Sequence, residues 1–323
     1  MVYDLLPFFN EIDILRLHLE IMSPFVDKFI IEEATVTFSG VKKELCFDRN
    51  RQKFSKFLDR IVYIPVKDTP KKAGTHERDY FQKNRLIEGL EQVGATEDDV
   101  IIFGDCDEIP NPVELKKIID GFDKNKVYHL AQRNFSAFVN MEEKSGKLLS
   151  ITGDFPDIPQ GERKWLGTKV TSTLNIPEEG IVRLRDLCKV TDRNAVRVAD
   201  GGWHFGYMGG EHETDPIKRI GVKVKAAAHQ EYNEREIILE TMDRLVLGQD
   251  IFGRDARFER VEIDDSYPEY LRKHLDEYSH LVMPRISLFK KLYHRFDITV
   301  GRFCRKALRK LTRWLPVRAG SID

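Results

Sequence analysis

Two carboxylates two residues apart, on a turn that leaves an apolar strand, are the most chemically suggestive feature of this 323-residue chain. They are Asp105 and Asp107 of GDCDEIP, and the run before them is Val100, Ile101, Ile102 and Phe103. In open α/β sheets ligands gather at the carboxyl ends of strands. Paired oxygen ligands there select a hard divalent cation, Mg²⁺ or Mn²⁺. Such a cation neutralises a diphosphate and acts as a Lewis acid on a leaving group. The plainer alternative is a solvated acidic turn that caps the helix behind it. That helix has a clear start, with Asn111 as its cap, Pro112 first and Glu114 three residues after the cap.

The elements that must position this turn are legible in the pattern. VYDLLPFFNEIDILRLHLEIM reads as a strand, a loop and a helix with Ile14, Leu15, Leu17, Leu19 and Ile21 apolar. Strands are expected at Phe29–Ile31, 60–66, Val100–Phe103 and 127–135, and a helix over ERDYFQKNRLIEGLEQVG closed by Gly94. Strands alternating with helices predict an α/β fold with a largely parallel sheet. Residues 136–200 are less regular, and ITGDFPDIPQGERKW reads as a long functional loop. The segment from 215 to 247 is helical in composition.

Composition narrows the class. Apolar residues make up 41% and charged residues 33%, with 20 Phe and 10 Tyr, which is ample for a packed core and excludes wholesale disorder. No stretch approaches ~18 consecutive apolar residues, and the N-terminus has no basic leader. Four scattered cysteines without CxxC spacing suggest a reducing compartment. Residues 285–323 carry 11 Lys/Arg against two Asp, leaving 41 against 51 Asp/Glu in residues 1–284. An acidic body disfavours nucleic-acid binding, which needs a basic face. Walker A, GxGxxG and GxSxG motifs are all missing from the sequence.

VYDLLPFFNEIDILRLHLE, FIIEEATVTFSG, GDCDEIP and GGWHFGY, in that order, resemble glycosyltransferase family 17 over residues 1–275. The resemblance implies a GT-A-type mixed sheet flanked by helices. It also implies an inverting, metal-dependent transferase that moves a sugar, N-acetylglucosamine from a UDP donor, to a glycan hydroxyl. The family's motif carries an acidic residue just before the first Asp of its triplet, where this chain has Gly104. The metal would sit on Asp105 and Asp107, with His204 of GGWHFGYMGG as a further ligand. The glycine pairs around Trp203 and His204 are expected to let backbone approach a ligand closely. Trp203 either stacks on a sugar ring or fills the core.

Glu33 matches the family's acidic position at the end of an early strand, where a donor's base or ribose would lie; Glu32 precedes it. Arg78, Gln82 and Arg85 share a helix face by i, i+4, i+7 spacing, and Arg forks suit diphosphate oxygens. Inverting transfer needs a carboxylate to take the acceptor proton. The candidates are Glu211, just after GGWHFGYMGG, and Asp154 in the ITGDFPD loop.

The expected organisation is a catalytic domain over 1–275 and a basic amphipathic extension over 276–323. In the extension Leu288, Leu292, Phe296, Phe303, Leu308, Leu311, Trp314 and Leu315 lie among cations. That pattern suits an anionic membrane surface through residues 285–318, or else a helix packed on the acidic body. The expected partners are a nucleotide-sugar donor and a glycan or lipid-linked oligosaccharide acceptor, with no nucleic acid. The expected location is cytoplasmic, or peripheral on the cytoplasmic face of the membrane. The competing functions are a metal-dependent nucleotidyltransferase and a catalytically silent, membrane-associated glycan-binding protein.

Overall fold

The computed structural model describes residues 1–148, 164–186 and 194–301. Its strands are β1 (Val2–Pro7), β2 (Lys28–Ala34), β3 (Ile61–Val66), β4 (Val100–Phe103), β5 (Glu108–Pro110), β6 (Val127–Ser136), β7 (Met141–Glu143), β8 (Lys169–Thr171), β9 (Ala195–Gly206) and β10 (Phe258–Arg260). They form one sheet in the order β10-β7-β6-β8-β4-β1-β2-β3, with β9 paired to β5 and β6. The helices are α1 (Ile12–Met22), α2 (Cys46–Arg49), α3 (Thr75–Asn84), α4 (Leu86–Gln92), α5 (Pro112–Asp120), α6 (Arg183–Asp186), α7 (Pro216–Ala226), α8 (Arg235–Val246), α9 (Glu269–Lys273) and α10 (Leu288–Phe296). The α/β class and the mixed sheet flanked by helices match the sequence reading.

The expectation of a largely parallel sheet is corrected. Four pairings are parallel: β1–β2, β1–β4, β2–β3 and β6–β9. Five are antiparallel: β10–β7, β4–β8, β5–β9, β6–β7 and β6–β8. The parallel half comes from alternating strands and helices, and short returning strands build the rest.

β1 and β4 are buried along their whole length, as near-continuous apolar strands of a parallel sheet should be. The register Leu5↔Ile30 and Leu5↔Phe103 brings the carboxyl ends of β1, β2 and β4 to one edge. α1 buries all five of its expected apolar positions beneath the sheet. The predicted helix at 77–94 is broken at Arg85 into α3 and α4. α5 begins as expected, with Val113 N–H donating to the Asn111 side chain at 3.0 Å.

β9 carries GGWHF past two strands at once. Gly202 has φ +125°, and a Cβ there would stand 2.1 Å from the Ile109 carbonyl oxygen. A Cβ on Gly201 would stand 2.5 Å from Ala131 N. This glycine pair lets β9 press on its own neighbours β5 and β6, not on a ligand as the sequence suggested. The resulting register sets His204 opposite Glu108 and Trp203 opposite Ile109.

Packing continues past residue 275. Tyr278, Leu281 and Met283 are buried, and the Asn140 side chain bonds both Met283 N–H (2.7 Å) and Met283 C=O (3.0 Å). α10 then leaves Leu288, Phe289, Leu292, Tyr293 and Phe296 exposed, touching α8 through His294 Nδ1 and Asp243 Oδ1 at 2.5 Å. No helix among the described residues is long and apolar enough to cross a membrane.

Candidate active site at the acidic turn

Glu108 is the anchor of the turn. Its carboxylate is buried and accepts from Trp165 Nε1 (2.8 Å), from the Asp105 amide (3.1 Å) and from the Arg185 guanidinium. A Cβ on Gly104 would meet Thr168 Oγ1 at 2.6 Å and Glu108 Oε2 at 3.0 Å. A side chain at position 104 would have to displace Thr168. The carbonyl of Cys106 accepts from His18 Nδ1 (3.0 Å), and His18 Nε2 lies 2.8 Å from Asp4 on β1. The turn is thus pinned from both sides before any ligand arrives.

The two aspartates meet opposite environments. Asp105 lies 2.9 Å from Lys83 Nζ and 3.0 Å from Arg185 Nη1, with 32% of its side chain exposed. Burial opposes its ionisation, but Arg185 and Lys83 outweigh that and hold the carboxyl well below the usual carboxylate range. Asp107 is buried, 3.6 Å from Lys223 Nζ and 3.9 Å from His204 Nε2. Here burial pushes the carboxyl up, against the pull of Lys223 and His204. Lys223 is also shared with Glu11, whose other oxygen caps the Asn10 amide at 2.9 Å.

His204 connects the turn to a cavity. Its Nδ1 lies 3.0 Å from Asn134 Oδ1, which leaves Nε2 facing Asp107. Its ring stacks on Trp165, with centroids 4.4 Å apart and planes 23° from parallel. Both rings line a cavity of about 370 Å³ with Asn134, Ser136, Tyr207 and Arg254. Ser136 Oγ is buried there without a hydrogen-bond partner among the described residues. On the other side of the turn a smaller apolar slot lies between Phe9, Val36 and Phe38, rimmed by Lys43 and Lys223. Lys83 stands 5.7 Å over the Phe38 ring, so slot and Asp105 are neighbours.

A metal tests well against Asp107 and His204 and less simply against Asp105. The facing oxygen and nitrogen at 3.9 Å are too far apart to be hydrogen-bonded and form a mixed O/N ligand pair. Asp107 is a buried carboxylate short of counter-charge. Asp105 already has two cations.

The other predicted residues fall in different places. Glu33 is saturated: Lys43 Nζ (2.5 Å), Cys46 N–H (2.5 Å), Phe47 N–H (2.9 Å) and Tyr63 Oη (3.1 Å) all donate to it. Glu32 is the under-partnered one, with Oε1 buried and unbonded among the described residues. Burial pushes its pKa up to about 8. Arg78 donates to the carbonyls of Phe38 and Lys71 (both 3.2 Å), and Gln82 to Val36 (2.8 Å) and Thr69 (3.1 Å). Arg85 pairs with Glu88 (2.8 Å) and Asp68 (3.5 Å). Arg78 and Gln82 brace the slot's walls, Arg85 pairs away from them, and the α3 residue that reaches Asp105 is Lys83. Trp203 takes the core role, buried with Nε1 donating to Ser266 (3.2 Å). Glu211 pairs with Lys53 and lines a separate cavity with Glu44, Cys46, Arg49 and Asn50. Asp154 lies outside the described residues.

Lys83, Arg185, Trp165 and Lys223 were missed. Lys83, Arg185 and Lys223 are common residue types with no local motif, and Trp165 closes the ITGDFPDIPQGERKW segment without being singled out; they come from 22 to 116 positions away from Asp105 or Asp107. Only the basic spacing on α3 hinted at one of them.

The region that builds β1 to β7 and the acidic turn is that of a glycosyltransferase. The model of glycosyltransferase family 17 matches residues 1–145 of this chain. No curated protein matches the chain significantly. Among solved structures, the crystal structure of S. aureus TarS 1–349 is similar at 12% identity and a TM-score of 0.35, covering 76% of this chain and 71% of that one.

Proposed function

We propose that this glycosyltransferase moves a sugar, N-acetylglucosamine from UDP-GlcNAc, to a glycan hydroxyl with inversion, using a divalent metal. The observation that carries the reading is the order of features along one edge of the sheet. An apolar slot, a Lys83/Arg185 cation pair, the Asp107–His204 pair and a Trp165-lined cavity follow one another. That order suits base, diphosphate, metal and sugar.

In this reading Asp107 and His204 hold Mn²⁺ or Mg²⁺, with Asp105 as a further ligand. When bound, the ion supplies Lewis-acid stabilisation to the leaving diphosphate. Lys83 and Arg185, which flank Asp105, would give charge-assisted hydrogen bonds to phosphate oxygens. The aromatic face of Trp165 and the free Ser136 hydroxyl receive the sugar. The Asn134 bond fixes the His204 ring so that its Nε2 stays toward Asp107. A carboxylate then accepts the acceptor hydroxyl's proton as the anomeric carbon is attacked. The candidates for that carboxylate are Glu211, which lines the separate cavity with Glu44 and Cys46, and Asp154. Arg78 and Gln82 act as braces of the donor side, and Glu33 holds Lys43 at the slot's rim.

The catalytic unit is taken as residues 1–283 and the remainder as a membrane-directed extension. The exposed apolar side chains of α10, beside Lys290, Lys291 and Arg295, suit an anionic lipid surface on the cytoplasmic side and a lipid-linked acceptor.

The test is release of free UDP from a panel of UDP-sugars with Mn²⁺, with chelator and with Asp107→Ala. Metal-dependent release from UDP-GlcNAc, lost in the variant, is expected. Silence across the panel, together with no rise in melting temperature from UDP and Mn²⁺, would overturn the reading.

A further inference from the structure

A second cluster of metal-ligating side chains lies away from the acidic turn. It joins three distant parts of the chain: Asp13 in the first turn of α1, His212 in the loop after β9, and His280 in the short helix Ser279–Leu281. One ligand atom from each lies within 4.8 Å of the others. Asp13 Oδ2 is 2.9 Å from His280 Nε2, Asp13 Oδ1 is 4.0 Å from His212 Nδ1, and the two imidazole rings are 5.2 Å apart.

We infer that Asp13, His212 and His280 form a binding site for a zinc-class divalent ion, distinct from the Asp107–His204 pair. Two imidazoles and one carboxylate are a ligand set for zinc rather than for Mg²⁺ or Ca²⁺, which prefer all-oxygen sites. Zinc bonds of about 2.0–2.2 Å put tetrahedral ligands about 3.3 Å apart, so Asp13 and His280 are already close to that spacing. His212 closes the remaining gap by side-chain rotation, since 61% of it is exposed.

The carboxylate is already oriented for the task. The His212 amide donates to Asp13 Oδ2 at 2.7 Å, which leaves Oδ1 toward the His212 ring. An outer hydrogen bond of this kind fixes a ligating carboxylate. The neighbouring cation, Arg219, gives its guanidinium to the carbonyls of Glu213, Ala137 (2.7 Å) and His280 (3.4 Å). Those bonds hold the His212 loop and the His280 turn together around the site. Three protein ligands leave one position for water. A bound ion would tie α1 to the loop after β9 beside Glu11, the partner of Lys223.

The inference does not depend on the proposed transferase mechanism, and its test is binding. The tag-free, metal-stripped full chain is dialysed against micromolar Zn²⁺ and bound metal is measured. Co²⁺ replaces Zn²⁺ in a parallel sample to read the ligand field. Zinc binding and an intense visible Co²⁺ band are expected for the wild type and for Asp107→Ala alike, with one zinc per chain in Asp107→Ala, whose acidic turn has lost its carboxylate. His212→Ala, which removes an exposed ring and keeps the amide that bonds Asp13, should weaken zinc binding at least tenfold and abolish the band; His280→Gln should do the same. No zinc above background, or zinc and cobalt signals unchanged in both histidine variants, would overturn the site. Loss in Asp107→Ala alone would assign the ion to the acidic turn and overturn it as well.

Discussion

Asp105 and Asp107 are two residues apart, of the same type and on the same turn, yet they sit in opposite electrostatic states. Asp105 is partly exposed and held ionised between Lys83 and Arg185. Asp107 is buried and under-compensated, with Lys223 at 3.6 Å and His204 at 3.9 Å among the described residues. The difference comes from what the rest of the chain delivers to each side, not from the motif. It teaches that a paired-carboxylate motif need not act as a symmetrical clamp. One member is already matched by two close cations, and the other is buried with its cationic neighbours farther away.

The comparison breaks most visibly in activity. Asp107→Asn should lower transfer by about a thousandfold, several kcal/mol of transition-state stabilisation at about 1.4 kcal/mol per tenfold. The same change should raise the melting temperature at alkaline pH. The sign follows from Asp107's raised pKa: a proton kept in the fold stabilises at low pH, and that stability is lost as pH rises through the folded value. Assays of rate and melting on one preparation check both. A variant that lost activity and stability together would remove the distinction between the two aspartates.

Removing a cation on the other side should cost stability first. Arg185→Met leaves Glu108 and Asp105 without their shared partner, and breaking such a buried pair costs about 3–5 kcal/mol. Denaturant unfolding measures it. A change under 1 kcal/mol would mean that Lys83 alone suffices.

Glu32 offers a third carboxylate for calibration. Its proton is held in the fold up to a pH of about 8, whereas an ordinary carboxyl releases it near 4.5. Stability should therefore fall across that window, by at most about 1.4 kcal/mol per pH unit, and level off above it. Glu32→Gln should flatten this slope. A wild type with no slope would place Glu32 in a better-solvated site.

Much of the frame was legible in the sequence, and for local reasons. Buried strands such as VIIF announce themselves by apolar runs, and the Asn111–Pro112 start of α5 by its cap chemistry. GDCDEIP and GGWHF marked the turn and the strand beside it. The sheet's antiparallel half was not legible, because β8 and β10 are three residues each and exist through tertiary pairing. The site's electrostatics were hidden for the same reason. Nothing near Lys83 or Arg185 in sequence says that either reaches Asp105. Trp203, prominent in its motif, turned out to fill the core, while Trp165, with no motif, lines the cavity.

In the proposed reading, metal dependence rests on Asp107 rather than on Asp105. Calorimetric titration of UDP into wild type, Asp107→Asn and Asp105→Asn, each with and without Mn²⁺, tests it most directly. The account predicts Mn²⁺-enhanced UDP binding in wild type, no enhancement in Asp107→Asn, and weaker but still Mn²⁺-enhanced binding in Asp105→Asn. Enhancement that survived in Asp107→Asn and vanished in Asp105→Asn would contradict it.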